Sequence, residues 1–110
     1  MSRSVFISHM SRKVAAIRED APELPMQILH VFLCVAADEG IGAAEVMQRL
    51  GMARSSTSRN LNQLADGVGA NGSNNPFNWL EWRLSKEDAR SKVYFLSAKG
   101  KEILDKWAAA

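Results

Sequence analysis

The sequence predicts a mainly α-helical chain that carries a small β-hairpin near its C-terminal end. Three observations support this. Apolar residues recur at helical spacing from residue 4 to residue 65 and again after residue 98. One pair of short runs, "WLEWRL" and "KVYFLS", breaks that rhythm with alternating or β-branched and aromatic residues. Pro22, Gly40 and Gly51 fall between the periodic stretches, where chain breaks belong.

Residues 4–19 place Phe6, Met10, Val14 and Ile17 at i, i+4, i+8 and i+11, an amphipathic helix that Asp20, Ala21 and Pro22 end. Residues 24–39 form the next helix, with Pro25 suited to its first position and Gly40 to its stop. Its apolar residues, Ile28, Leu29, Val31, Phe32, Leu33 and Val35, wrap most of the circumference, so this helix is expected to be central and buried. "AAEVMQRL" at 43–50 is a short helix with Val46, Met47 and Leu50 facing inward. Gly51 breaks it, and helix resumes near Arg54 or Ser55 and runs to Ala65. Ser and Thr in that first turn can accept its free backbone N–H groups.

Residues 66–78, "DGVGANGSNNPFN", are expected to be a loop. Strands follow at 79–84, with Leu80, Trp82 and Leu84 on one face, and at 92–97, joined by the charged tip "SKEDARSK". The final stretch, "SAKGKEILDKWAAA", is helical, with Ser97 as its cap and Ile103, Leu104 and Trp107 as its apolar side. Two helices joined by a tight glycine turn, then a β-hairpin, make a winged helix-turn-helix. The whole chain, 1–110, is expected to be one such domain, with the helix-turn-helix at 43–65 and the wing at 79–97.

A chain of 110 residues suits one compact core, and 46% hydrophobic with 24% charged residues is ordinary for a globular domain. One cysteine leaves no internal disulfide framework and fits a reducing cytoplasm. "ILHVFLCVAA" is too short to span a bilayer, and "MSRSVFISHMSRK" lacks the apolar core of a signal peptide. No membrane role is therefore expected. Net charge is only +2, but it is segregated: residues 21–40 carry −3, residues 41–65 carry +2 and residues 83–101 carry +4. Segregated basic charge is the footprint of an anionic partner. For a total this small, solvated surface charge remains a competing account.

On a helical wheel, Thr57, Leu61 and Leu64 share the inner face of 54–65. Ser55, Ser58, Arg59 and Asn62 fall on the outer face, with Arg54 and Ser56 flanking the start. The second helix of a helix-turn-helix lies in the DNA major groove and meets base edges with its N-terminal residues. Short hydroxyls permit close approach, arginine can pair with guanine and asparagine with adenine, and the exposed N–H groups of a helix start attract phosphate. A solvated, serine-capped helix is the plainer account of the same residues. On the hairpin tip, Lys86, Arg90 and Lys92 can reach a minor groove, and Asp88 can hold Arg90 in one pose. Local ion pairs on an exposed turn are the plainer account there.

"LPMQILHVFLCVAADEG", "AAEVMQRLGMARSSTSRNLNQLA" and "KEDARSKVYFLSAKG" together resemble the MarR-type winged-helix transcriptional regulators. The last stretch is the most specific. It is similar to that family's wing, an acid-x-Arg-x-Lys tip, an apolar strand and a Thr/Ser-x-Lys-Gly helix opening, here Asp88, Arg90, Lys92, Val93, Leu96, Ser97, Lys99 and Gly100. The resemblance covers roughly residues 24–104. It implies a homodimer, built largely from the N- and C-terminal helices, that binds a palindromic operator on double-stranded DNA, usually as a repressor. By position it assigns Ser55, Ser56, Ser58, Arg59 and Asn62 to the major groove and Arg90 to the minor groove. Many members of that family sense a small ligand near the dimer interface; the residues here show no clear ligand constellation, and a small-molecule effector is left unknown.

Other chemistry finds little support. His30 and Cys34 share a helix face, but a metal site wants three or four ligands, so both are expected to pack in or near the core. His9 is expected at the surface or an interface. Trp79, Trp82 and Trp107 are expected to be packing residues. "NGS" at 71–73 matches a glycosylation acceptor but has no secretory signal beside it. No phosphate loop, nucleophile elbow or paired cysteine motif occurs, so no enzyme, cofactor or metal is expected. Two rival readings stay open: a winged helix that binds a protein within a replication or phage-type assembly, and non-specific architectural DNA binding.

Overall fold

The computed structural model describes residues 1–67 and 77–110. Among these residues five helices and four short strands follow in order: α1 (Arg3–Asp20), α2 (Met26–Ala37), β1 (Ile41–Gly42), α3 (Ala43–Leu50), α4 (Arg54–Leu64), β2 (Ala65–Gly67), β3 (Leu80–Leu84), β4 (Lys92–Leu96) and α5 (Ala98–Ala109). This is the predicted fold class, a mainly helical winged helix-turn-helix. The sheet is larger than a hairpin. Its strand order is β1-β4-β3-β2, with β1 antiparallel to β4 and β2 parallel to β3. The predicted loop at 66–78 thus begins with strand. The rest of it, including the "NGS" stretch, lies outside the described residues apart from Phe77 and Asn78.

α2 is the central helix. Val31, Phe32 and Val35 are fully buried, while Leu33 faces solvent, so one sector stays open. Pro25 stands at its N-cap in extended geometry rather than inside the first turn. A proline there sets φ and gives up an N–H the helix does not need. The helix ends at Ala37, and Gly40, with φ +95, turns the chain into β1.

α3 and α4 meet at Gly51, which adopts the left-handed conformation (φ 63, ψ 39) at the α3 C-cap. The cap N–H bonds back to the Met47 carbonyl. α4 then buries Thr57, Asn60, Leu61 and Leu64 against α2. Asn60 is a polar residue in the buried set. Its amide donates to the Gln27 side-chain oxygen at 2.9 Å, which makes burial of a polar group tolerable.

An aromatic cluster joins α2 to the wing and the last helix. The Trp79 ring lies 5.0 Å from Phe32 and 5.3 Å from Trp107, the latter edge-on. Trp79 and Trp107 are buried packing residues, as expected. Ser97 caps α5, its hydroxyl oxygen accepting from the Gly100 N–H at 3.0 Å.

α1 packs along α5. Only Ala16 of α1 is buried, and Ile17 leans on the core. Phe6, Met10 and Val14 of the predicted stripe stay about half exposed, as do Val5 and Ile7. Two polar contacts fix the pair. The Lys13 ammonium donates to the carbonyls of Trp107, Ala108 and Ala110, closing the end of α5. The Asp20 carboxylate accepts from Lys106 Nζ and Trp107 Nε1, both at 2.9 Å.

Candidate nucleic-acid interface

The outer ridge of α4 is formed as its sequence predicts. Arg54, Ser55, Ser58, Arg59 and Asn62 are exposed and Ser56 is half-buried. The capping expectation is corrected. Ala53 is the N-cap and no side chain caps the helix. Thr57, the hydroxyl nearest the core, instead donates back to the Ala53 carbonyl at 2.9 Å, an i to i−4 bond that satisfies a buried hydroxyl. The first-turn N–H groups therefore face outward without a side-chain acceptor, the arrangement that favours an anion.

The wing is β3 and β4 in antiparallel register, with Trp82 opposite Tyr94 and Leu84 opposite Lys92. Alternation puts Leu80, Trp82, Tyr94 and Lys92 on one face and Glu81, Arg83, Val93 and Phe95 on the other. The two faces treat their cations differently. Arg83 is occupied locally: it pairs with Glu81 at 2.9 Å and stacks on the Phe95 ring at 4.5 Å. Lys92 has no carboxylate partner among the described residues, and its ammonium rests 4.4 Å above the Trp82 ring.

The tip between the strands is ordered by Asp88. Its carboxylate accepts from the Ser91 hydroxyl at 2.8 Å and from the Arg90 backbone N–H at 3.1 Å. These bonds, the Ser91 one foremost, hold the carboxyl below its ordinary range. Asp88 holds the Arg90 backbone in an Asx turn and makes no ion pair with its guanidinium.

α4 and the wing share one surface. Ser58 and Asn62 of α4, together with Arg90, Ser91 and Lys92 of the wing and Tyr94, line a single groove whose other wall is the start of α3. Arg54, Ser55, Ser56 and Arg59 lie along α4 outside that groove. Lys86 is not brought to it either. It lines a separate hollow with Arg83, Glu45 and Glu87 on the opposite side of the hairpin, and Lys92 borders both. Tyr94 and Trp82 gave no functional signal in the sequence, where an aromatic in a strand reads as core.

His30 is exposed, contrary to its expected packing, because it sits on the open sector of α2. Cys34 packs partly against the core, and burial pushes its thiol up. His9 is exposed. Among the described residues no three His, Cys, Asp or Glu side chains gather as metal ligands, and no helix is long and apolar enough to cross a membrane.

Residues 26–67 match the IclR helix-turn-helix domain family model, which spans α2 to β2. No curated protein matches the chain significantly in sequence. Solved structures match throughout. Rv1404 from Mycobacterium tuberculosis superposes with TM-score 0.74 at 14% identity, covering 96% of this chain. This chain spans 66% of that protein's length. FabT from Streptococcus pneumoniae, solved in complex with DNA, gives TM-score 0.68 at 17% identity over 96% of this chain and 69% of its own. Apo MarR from E. coli gives 0.63 at 16% identity over 99% of this chain and 76% of its own. The likeness to MarR-type regulators is therefore one of fold, while the sequence match over residues 26–67 is to the IclR helix-turn-helix domain: the chain is a winged helix-turn-helix with a MarR-like architecture.

Proposed function

We propose that this chain is a sequence-specific, double-stranded-DNA-binding transcriptional regulator. In this reading it is a cytoplasmic homodimer that represses by occupying a promoter. One observation carries it: Ser58 and Asn62 of α4 and Arg90 and Lys92 of the wing border one groove, so both elements address one partner from the same side. α4 enters the major groove, with Ser55, Ser58, Arg59 and Asn62 toward base edges and Arg54 and Ser56 toward phosphate. Arg90 follows the minor groove and Lys92 the backbone. The matched helix-turn-helix segment and the DNA complex of FabT support this use of the fold.

The exposed apolar side of α1, Val5, Phe6, Ile7, Met10 and Val14, together with α5, supplies the dimer contact. A two-fold dimer places its two α4 helices about 34 Å apart, one DNA turn. Selection of bound sequences from a random duplex pool tests the proposal. A palindromic consensus with half-sites one turn apart is the expected result, and recovery of no consensus contradicts it. The same apolar strip favours a second reading, a protein-interaction module. That reading is supported if the chain recovers a stoichiometric protein partner and has no affinity for duplex DNA at low salt.

A further inference from the structure

The groove between α4 and the wing contains a polar group with no hydrogen-bond partner among the described residues. Tyr94 is 5% exposed, faces the helices and lines the groove beside Ser58, Asn62 and Lys92. Its hydroxyl makes no hydrogen bond among the described residues. Burial alone pushes the phenol above its ordinary range. A hydroxyl at the groove lining with no protein partner can donate to a group that enters the groove, which a phenylalanine in the same space could not do. Lys92 stands two residues away on the same face of β4, with about 7 Å between the Cα atoms. The Trp82 ring holds its ammonium at the groove without neutralising it. On the wing tip, the Asp88 carboxylate is occupied by Ser91 and the Arg90 N–H.

A cation held on a ring and a hydroxyl with no partner among the described residues suit the oxygens of an anion, and no carboxylate lines this groove, although Glu45 and Glu87 stand in the adjoining hollow that Lys92 also borders. Base edges face the two inserted elements, whereas the ground between them faces the sugar–phosphate backbone. We infer that Tyr94 and Lys92 together hold one backbone phosphate of bound duplex DNA, with Trp82 as the positioning residue that keeps Lys92 in place. This rests on the DNA-binding reading above and adds to it a contact between helix and wing.

The test uses the full chain and a labelled mixed-sequence duplex of about 30 base pairs, titrated between about 50 and 200 mM salt. Tyr94→Phe is expected to weaken binding about three- to tenfold at every salt concentration. The slope of log affinity on log salt should stay unchanged, because a neutral hydroxyl releases no counterion. The thermal midpoint should stay level or rise. Lys92→Ala and Trp82→Leu are expected to weaken binding and to lower the slope, by about one for the lysine. Wild-type affinity in Tyr94→Phe overturns the phosphate contact, as does a loss of affinity that only follows a fallen thermal midpoint. Failure of the wild-type chain to bind duplex at low salt overturns the DNA-binding reading itself and the contact with it.

Discussion

The carboxylate of Asp88 accepts the backbone N–H of Arg90 at 3.1 Å, and so an acidic residue shapes the tip of a wing proposed to meet DNA. Simple electrostatics and this geometry give opposite predictions. Removing a negative charge near a phosphate should tighten binding. Removing the group that orders the turn should loosen Arg90 and weaken it. Asp88→Ala is expected to lower duplex affinity about three- to tenfold with little change in thermal midpoint. Fluorescence anisotropy at fixed salt checks it, and tighter binding would count against an ordering role.

Gly100 lies against the Trp79 carbonyl so closely that a Cβ there would stand 1.9 Å from the oxygen. The obstacle is backbone, and it cannot swing aside. The Ser97 cap and the Trp79 packing both depend on that approach, since Ser97 N–H also donates to the Trp79 carbonyl at 3.0 Å. Gly100→Ala is expected to lower the thermal midpoint by about 10 °C or more. A wild-type melt from this variant would show that α5 shifts at little cost.

Asp20 joins α1 to α5 and should give the chain an acid-sensitive seam. Its carboxyl is held below its ordinary 3.8 by the Lys106 hydrogen bond first and the Trp107 N–H next. A depressed folded value means the contribution is present above the unfolded value and is lost as pH falls through the folded one. Glu19 is the other charge near Lys106, and it keeps the same sign of effect. Asp20→Ala is expected to melt about 5 °C below wild type at pH 7. The gap should narrow as pH falls below the unfolded value of 3.8 and close once the folded carboxyl itself is protonated. A gap that persists undiminished in acid would assign the loss to packing instead.

The helices were legible because burial imposes a period on them. Val31, Phe32 and Val35 repeat toward one centre, and Thr57, Leu61 and Leu64 do the same on α4. The wing strands were legible over Leu80–Leu84, where side chains alternate, and over Lys92–Leu96, where they are β-branched and aromatic. β1 and β2 were not, because two- and three-residue strands have no period and form only through partners distant in sequence. The outward ridge of α4 could be drawn on a wheel, but the choice of cap could not. A Ser or Thr hydroxyl can accept a first-turn N–H or donate to a carbonyl one turn back, and only the folded structure shows that Thr57 donates to the Ala53 carbonyl. The groove needs the distance between two elements, which spacing within either one does not contain. That is why Tyr94, read as strand, emerges as part of it only in three dimensions.

The most direct test of the central claim is the salt dependence of duplex binding by wild type and by Arg59→Ala/Arg90→Ala. Helix and wing acting on one DNA predict a steep linear fall of log affinity with log salt. Each variant should lose about 1–3 kcal/mol of affinity. The double variant should show a slope shallower by about two if both side chains meet phosphate, or by less where one reads a base. A flat wild-type salt dependence, or a double variant that binds like wild type, would contradict the claim.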